Sequence, residues 1–146
     1  MCEQKVYTVS YSGWTPEQLR QKAEELDATI LDVRVKPSSR MPQWRKQALQ
    51  TILESRYAHV PALGNLNYRG GPIMLQDFTT GAATLDVALK KGPVMLMCVC
   101  RSYDKCHRKT IVEKLAASGR EFEHEEIPPP GGRKPKRRYQ QPQLPI

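Results

Sequence analysis

The chain of 146 residues carries 23 Lys and Arg against 15 Asp and Glu, a net charge of +8, and is 39% apolar. That is enough chain for one domain with a real core, and a composition that excludes fibrous and wholly disordered classes. No run of about 18 apolar residues occurs, so no transmembrane helix is expected.

The first residues, MCEQKVYTVSYSG, lack the apolar core and small-residue cleavage pattern of a secretory signal, so none is expected. A cytoplasmic setting follows, in which Cys2, Cys98, Cys100 and Cys106 are thiols or ligands rather than disulfides. Lys5–Tyr11 has the β-branched and aromatic content of a first strand. Ser12-Gly13 turns the chain, and Thr15-Pro16-Glu17-Gln18 opens a helix that runs to about Leu26. Thr15 caps it, Pro16 suits its first position and Gln18 completes a capping box. Ala28–Val33 reads as a second strand ending in Asp32-Val33-Arg34, followed by a loop, Val35 to Pro42, that carries Ser39 and Arg40.

Trp44, Ala48, Leu49, Ile52 and Leu53 mark one face of a second helix. Tyr57–Val60 is a short third strand and Pro61–Pro72 a loop with Gly and Asn. A short helical piece is expected over Ile73–Phe78, then a helix capped by Thr80 and stopped by Gly92-Pro93. The stretch Val94 to Leu115, VMLMCVCRSYDKCHRKTIVEKL, opens on an unbroken apolar run, as expected of a strand buried on both faces of a parallel sheet. It closes on a helix with Ile111, Val112 and Leu115 on one side, ended by Gly119. Glu121–Ile127 alternates poorly and is a weaker candidate, for an edge strand. From Pro128 there is no periodicity, and Arg133, Lys134, Lys136, Arg137 and Arg138 stand without any acid, so most of the net charge belongs to this tail. The pattern predicts a single three-layer α/β domain over residues 1–127, Rossmann-like, with a mostly parallel sheet of about five strands. A disordered, basic, Pro-rich tail follows over residues 128–146.

In such a sheet, ligands bind outside the carboxyl ends of the strands. That edge gathers Asp32, Arg34, Ser39 and Arg40 with Cys98, Cys100, Cys106, His107 and Arg108. A helix N-terminus attracts acids, by roughly 0.3–1 kcal/mol each, yet this one carries Lys105, His107, Arg108 and Lys109. Cations placed there fit a bound anion, with Arg34, Ser39, Arg40 and Arg108 as its ligands. The plainer alternative pairs Arg108 with Asp32 or Asp104, and Arg34 with Asp32.

A cysteine beside a helix N-terminus, a histidine and an arginine is a favoured thiolate, which describes Cys106 and leaves it open as catalytic nucleophile, redox thiol or structural residue. Cys98 shares that role as a candidate, although a cysteine in an apolar run is more often core. His107 and Asp32 are the candidates to move protons, with Asp32 orienting His107 or acting as base. His59 and His124 lie outside the cluster and read as ordinary. Cys98, Cys100, Cys106 and His107 match zinc ligands in type, but C-x-C-x5-C-H is tighter at its first pair than the usual spacing, so no metal or other cofactor is expected.

The leading reading is an enzyme-like α/β domain that binds a phosphate-bearing small molecule or nucleic acid. The alternatives are a non-catalytic nucleic-acid-binding accessory protein, using the same edge and the tail, and a zinc-stabilised module. No membrane partner is expected. The reaction and the oligomeric state stay open.

Several of these residues carry a resemblance. The opening Val6-Tyr7-Thr8-Val9-Ser10-Tyr11-Ser12-Gly13 is similar to that of domain of unknown function 488, small α/β proteins of bacteria, archaea and phages. So are Asp32-Val33-Arg34 with Pro37, Ser39 and Arg40, Leu63-Gly64, and Leu96-Met97-Cys98 ahead of Cys106-His107-Arg108. The resemblance spans roughly residues 5–127 and supports the α/β fold and the place of the site. It implies a Glu two residues after the first cysteine of the strand, where this chain has Cys100, so an acid–base role for that Glu is absent or altered here.

Overall fold

The computed structural model describes residues 4–130. In chain order they form β1 (Lys5–Ser10), α1 (Pro16–Leu26), β2 (Thr29–Asp32), α2 (Lys46–Leu53), β3 (Tyr57–His59), α3 (Phe78–Lys91), β4 (Val94–Cys98), α4 (His107–Ala117) and β5 (Glu123–Ile127). Local chemistry accounts for the start of α1. The Thr15 hydroxyl accepts from the Gln18 amide and the Gln18 side chain accepts from the Thr15 amide, with Pro16 at the first helical position.

The five strands pair in the order β3-β2-β4-β1-β5, and every pairing is parallel. The α/β fold with a parallel sheet is therefore as the sequence predicts. β4 is the middle strand, and each of its residues is buried. Its alternation sorts the core. Val94, Leu96 and Cys98 join the apolar cluster that holds Leu85, Ile111 and Leu115 of α3 and α4. Met95 and Met97 join the opposite cluster with Leu19, Ala23 and Leu49 of α1 and α2. Because side chains of a strand point alternately to its two faces, Cys98 is committed to the side covered by α4. β5 forms at the edge beside β1, with Val6 opposite His124 and Thr8 opposite Glu126. Its weak alternation suffices because an edge strand buries little more than one face.

Two expectations are corrected. Residues 73–77 form no helix. The Asn65 side chain accepts from the amides of Asn67 and Met74, and Asn65 makes an antiparallel bridge with Leu75, so this loop closes on itself. The next helix then begins at Phe78, capped by Asp77 rather than Thr80. The Asp77 carboxylate accepts from the Thr80 amide at 3.2 Å and from the Thr80 hydroxyl at 2.7 Å. An acid at a helix N-terminus gains from the dipole as well as the hydrogen bonds, which makes Asp77 the better cap.

No helix among the described residues is long and apolar enough to cross a membrane. Cys2 and the basic run of the expected tail lie outside the described residues.

Candidate functional site

The carboxyl ends of β1, β2 and β4 open on one cavity of about 570 Å³, lined among others by Arg34, Lys36, Cys98, Cys100, Cys106 and His107. Backbone contact shapes one wall. A Cβ on Gly64 would lie 2.7 Å from the Val35 nitrogen and 2.4 Å from the Val35 side chain, so only glycine lets these two loops meet so closely.

The floor is a pair of sulfurs. Cys98 Sγ and Cys106 Sγ lie 2.9 Å apart, and both residues are buried. Cys106 caps α4, its sulfur accepting from the Arg108 amide at 3.5 Å and from Arg108 Nε at 3.3 Å. His107 Nε2 lies 2.7 Å from the Val33 carbonyl, which can only accept, so Nε2 carries the hydrogen. That leaves Nδ1 facing the Cys106 sulfur at 3.7 Å, able to take a proton from a thiol or return one to a thiolate. The hydrogen bond from Cys98, then that from His107 once its Nδ1 holds a proton, and that from the Arg108 amide, hold the Cys106 thiol well below the usual range against the opposing effect of burial. The same contact with Cys106, together with burial, pushes the Cys98 thiol up. With the Arg108 amide and Nε both donating to Cys106, ionisation is favoured on Cys106 over Cys98.

Arg108 is fully buried, and protein groups engage its guanidinium. Nη1 donates to both Glu126 oxygens, at 3.1 and 3.0 Å, and Nη2 donates to the Cys100 carbonyl at 2.9 Å. Its acid is therefore Glu126 on β5, neither Asp32 nor Asp104; Asp104 instead faces Lys109 at 3.7 Å. Glu126 in turn accepts from the Thr8 hydroxyl at 2.5 Å, and Thr8 Oγ1 lies 2.8 Å from His124 Nε2. Burial raises the Glu126 carboxyl above its ordinary range despite Thr8 and Arg108. Burial, then the nearby Arg108, lowers His124.

On the other side of the cavity Asp32 is fully buried. Its Oδ1 accepts from Arg34 Nε at 2.8 Å, and its Oδ2 from Arg34 Nη2 at 2.6 Å and Tyr57 Oη at 2.5 Å. Asp32 makes no hydrogen bond to His107 among the described residues; the Val33 carbonyl orients that ring. Burial, with Asp32 beside it, raises the Tyr57 hydroxyl far above its ordinary value. Ser39 serves its own loop, its hydroxyl accepting from the Met41 amide and its carbonyl from Arg45 Nε. Arg40 is exposed, and neither Ser39 nor Arg40 lines the cavity.

What lines it instead is Lys36 and Ser38 of that loop, Asn65, Tyr68 and Arg69 of the next, and Lys105. The lining holds four Lys or Arg and no carboxylate. Lys36, Arg69 and Lys105 make no ion pair among the described residues, so three of these cations retain their charge toward the cavity.

A protein-family model, domain of unknown function DUF488, matches residues 17–115. The chain belongs to this family. The match covers the DUF488 domain from the start of α1 through most of α4, so Cys98, Cys106, His107 and Arg108 fall inside it, while Thr8, His124 and Glu126 fall outside. No curated protein matches the chain. Where the family resemblance implied a Glu, Cys100 sits half-buried at the cavity wall, its sulfur 3.6 Å from the Ser102 carbonyl.

Within this DUF488 domain, the groups that could hold a metal are Cys98, Cys106 and His107, whose ligand atoms lie within 4.8 Å of one another. Two thiolates on one zinc stand about 3.7 Å apart for Zn–S near 2.3 Å. The pair would have to open by most of an ångström to take that ion.

Sequence reasoning missed Glu126, Thr8 and Tyr57 as partners, and Lys36 and Arg69 as lining; Lys105 was named as a cation at the start of α4 but not as a ligand. Only Tyr68-Arg69 carried a usable signal, an aromatic–basic pair in a Gly-bearing loop.

Proposed function

We propose that this DUF488 domain is a thiol-dependent enzyme whose cleft takes a phosphate-bearing ligand, a nucleotide or a nucleic-acid end. The observation that carries the reading is the cavity lining, cationic and free of carboxylates, with Cys106 at its floor. Lys36, Arg69 and Lys105 hold the phosphate. Arg34, tied to Asp32, contributes field and shape rather than a free fork. Tyr68, 51% exposed at the cavity mouth, offers a ring on which a base can stack. Cys106 is the nucleophile, kept as thiolate by Cys98 and Arg108, and His107 Nδ1 holds or returns the proton at that sulfur.

Calorimetric titration of a mononucleotide into the full chain and into Lys36→Ala and Arg69→Ala tests it. Each substitution should weaken binding about tenfold, the loss of one charge-assisted hydrogen bond of roughly 1.5 kcal/mol. Thermal stability should stay within about 0.5 kcal/mol, because both side chains are exposed. Equal affinity in all three proteins, or no binding by the intact chain at millimolar ligand, would remove the anion reading.

A further inference from the structure

We propose a second chemistry for the same cleft: Cys98 and Cys106 form a reversible dithiol–disulfide couple that reduces small hydroperoxides, with Cys106 attacking and Cys98 resolving. The inference rests on Cys106 as the reactive thiolate and is independent of the phosphate ligand.

Proximity is the first support. The two sulfurs are 2.9 Å apart, so no element has to move far to bring them to bonding distance. Both are anchored, Cys98 as the last residue of the central strand and Cys106 as the cap of α4. Both also line the cavity, so a small oxidant can reach them although their side chains are otherwise covered.

The roles divide by hydrogen bonding. Arg108 Nε and the Arg108 amide both donate to Cys106 Sγ, which marks that sulfur as the anion, and the Cys98 thiol donates to it. The surroundings also tolerate the loss of that anion. On oxidation Arg108 keeps both oxygens of Glu126 and the Cys100 carbonyl, so disulfide formation leaves no buried cation without a counter-ion. An Arg108 balanced by the thiolate alone would have no such second state.

The steps balance with a hydroperoxide as oxidant. The Cys106 thiolate attacks the terminal oxygen of ROOH; the O–O bond breaks, Cys106 becomes a sulfenic acid and RO⁻ leaves, taking a proton from water to give ROH. The Cys98 sulfur then attacks the sulfenic sulfur. The S–S bond forms, the S–O bond breaks, and the thiol proton leaves with hydroxide as water. A low-molecular-weight dithiol restores the couple, supplying two electrons and two protons.

The test treats the full chain, reduced and freed of reductant, with one equivalent of hydrogen peroxide. Thiol counting under denaturing conditions should show two thiols lost and recovered with dithiothreitol. Tryptic cleavage at Arg101 and Lys105 parts Cys106 from the peptide that carries both Cys98 and Cys100, and fragment ions broken at Val99 should place the link on Cys98 rather than Cys100. Cys98→Ser should stop at a sulfenic acid on Cys106, captured by dimedone, and Cys106→Ser should react at least about tenfold more slowly. No thiol loss in the wild type, a link through Cys100 or Cys2, or a sulfenic label away from Cys106 would overturn the proposal. The wild-type map decides even where a variant fails to fold. Nucleotide binding by the reduced protein is a separate readout, so either reading can fail alone.

Discussion

Arg34 and Arg108 are both buried against the thiol cleft and both ion-paired, but their acids come from different distances along the chain. Arg34 takes Asp32, two residues earlier and the last residue of β2. Arg108 takes Glu126, on an edge strand that must first dock beside β1. The near pair is also held from a second side, because Tyr57 donates to Asp32. Arg108 supports two anions at once, Glu126 and the Cys106 sulfur. The surroundings of Cys106 therefore depend on β5, which lies outside the matched family stretch, whereas the Asp32 pair is held by β2 and its neighbour β3, with Tyr11 just past β1 accepting from Arg34.

The largest effect should come from Arg108→Ala. It takes the counter-ion from Glu126 and the Nε donor from Cys106, leaving only the residue 108 amide on that sulfur, and breaking a buried pair costs about 3–5 kcal/mol. Urea unfolding of the two proteins measures it, and a cost under about 1 kcal/mol would mean that β5 is not coupled to the site. Arg34→Ala should cost less, about 3 kcal/mol, at the low end of the range for a broken buried pair. The Tyr57 hydroxyl and the residue 34 amide remain as donors to Asp32. Should Arg34→Ala prove the more damaging of the two, the contrast between the near and distant pairs is wrong.

The smallest effect sharpens the comparison through pH. The folded Cys106 thiol lies below its unfolded value of about 8.5. Stability from its ionised form is thus fully present above about pH 8.5 and is lost as the pH falls toward the folded value. Wild type minus Cys106→Ser should accordingly grow between about pH 6 and 8, by at most about 1.4 kcal/mol per unit, and then level off. Denaturant midpoints at matched pH report it. A difference that shrinks with rising pH would mean that the folded protein favours the neutral thiol.

What the chain determined locally could be read locally. The apolar run of β4 marks a strand covered on both faces, because a residue with no solvent-facing side needs no polar alternation. Thr15, Pro16 and Gln18 mark a helix start because capping joins groups three residues apart. Asp32 and Arg34 share a strand face by the two-residue period, so their pairing was among the readings available before any fold was known. The cysteine, histidine and arginine cluster was placed by the rule that strand ends face the ligand.

Only the tertiary structure decided which acid Arg108 meets and which cations face the cavity. Strand order is a long-range property. Nothing within 18 residues of Arg108 distinguishes Glu126 from its neighbours Glu123 and Glu125 until β5 settles beside β1 in one register. That register turns Glu126 inward with Thr8 and leaves Glu123 and Glu125 beside Lys5. Lys36, Arg69 and Lys105 come from three separate loops, and ordinary surface lysines and arginines look the same in a sequence. Their convergence follows from loops folding over one sheet edge, and a local period carries no trace of it.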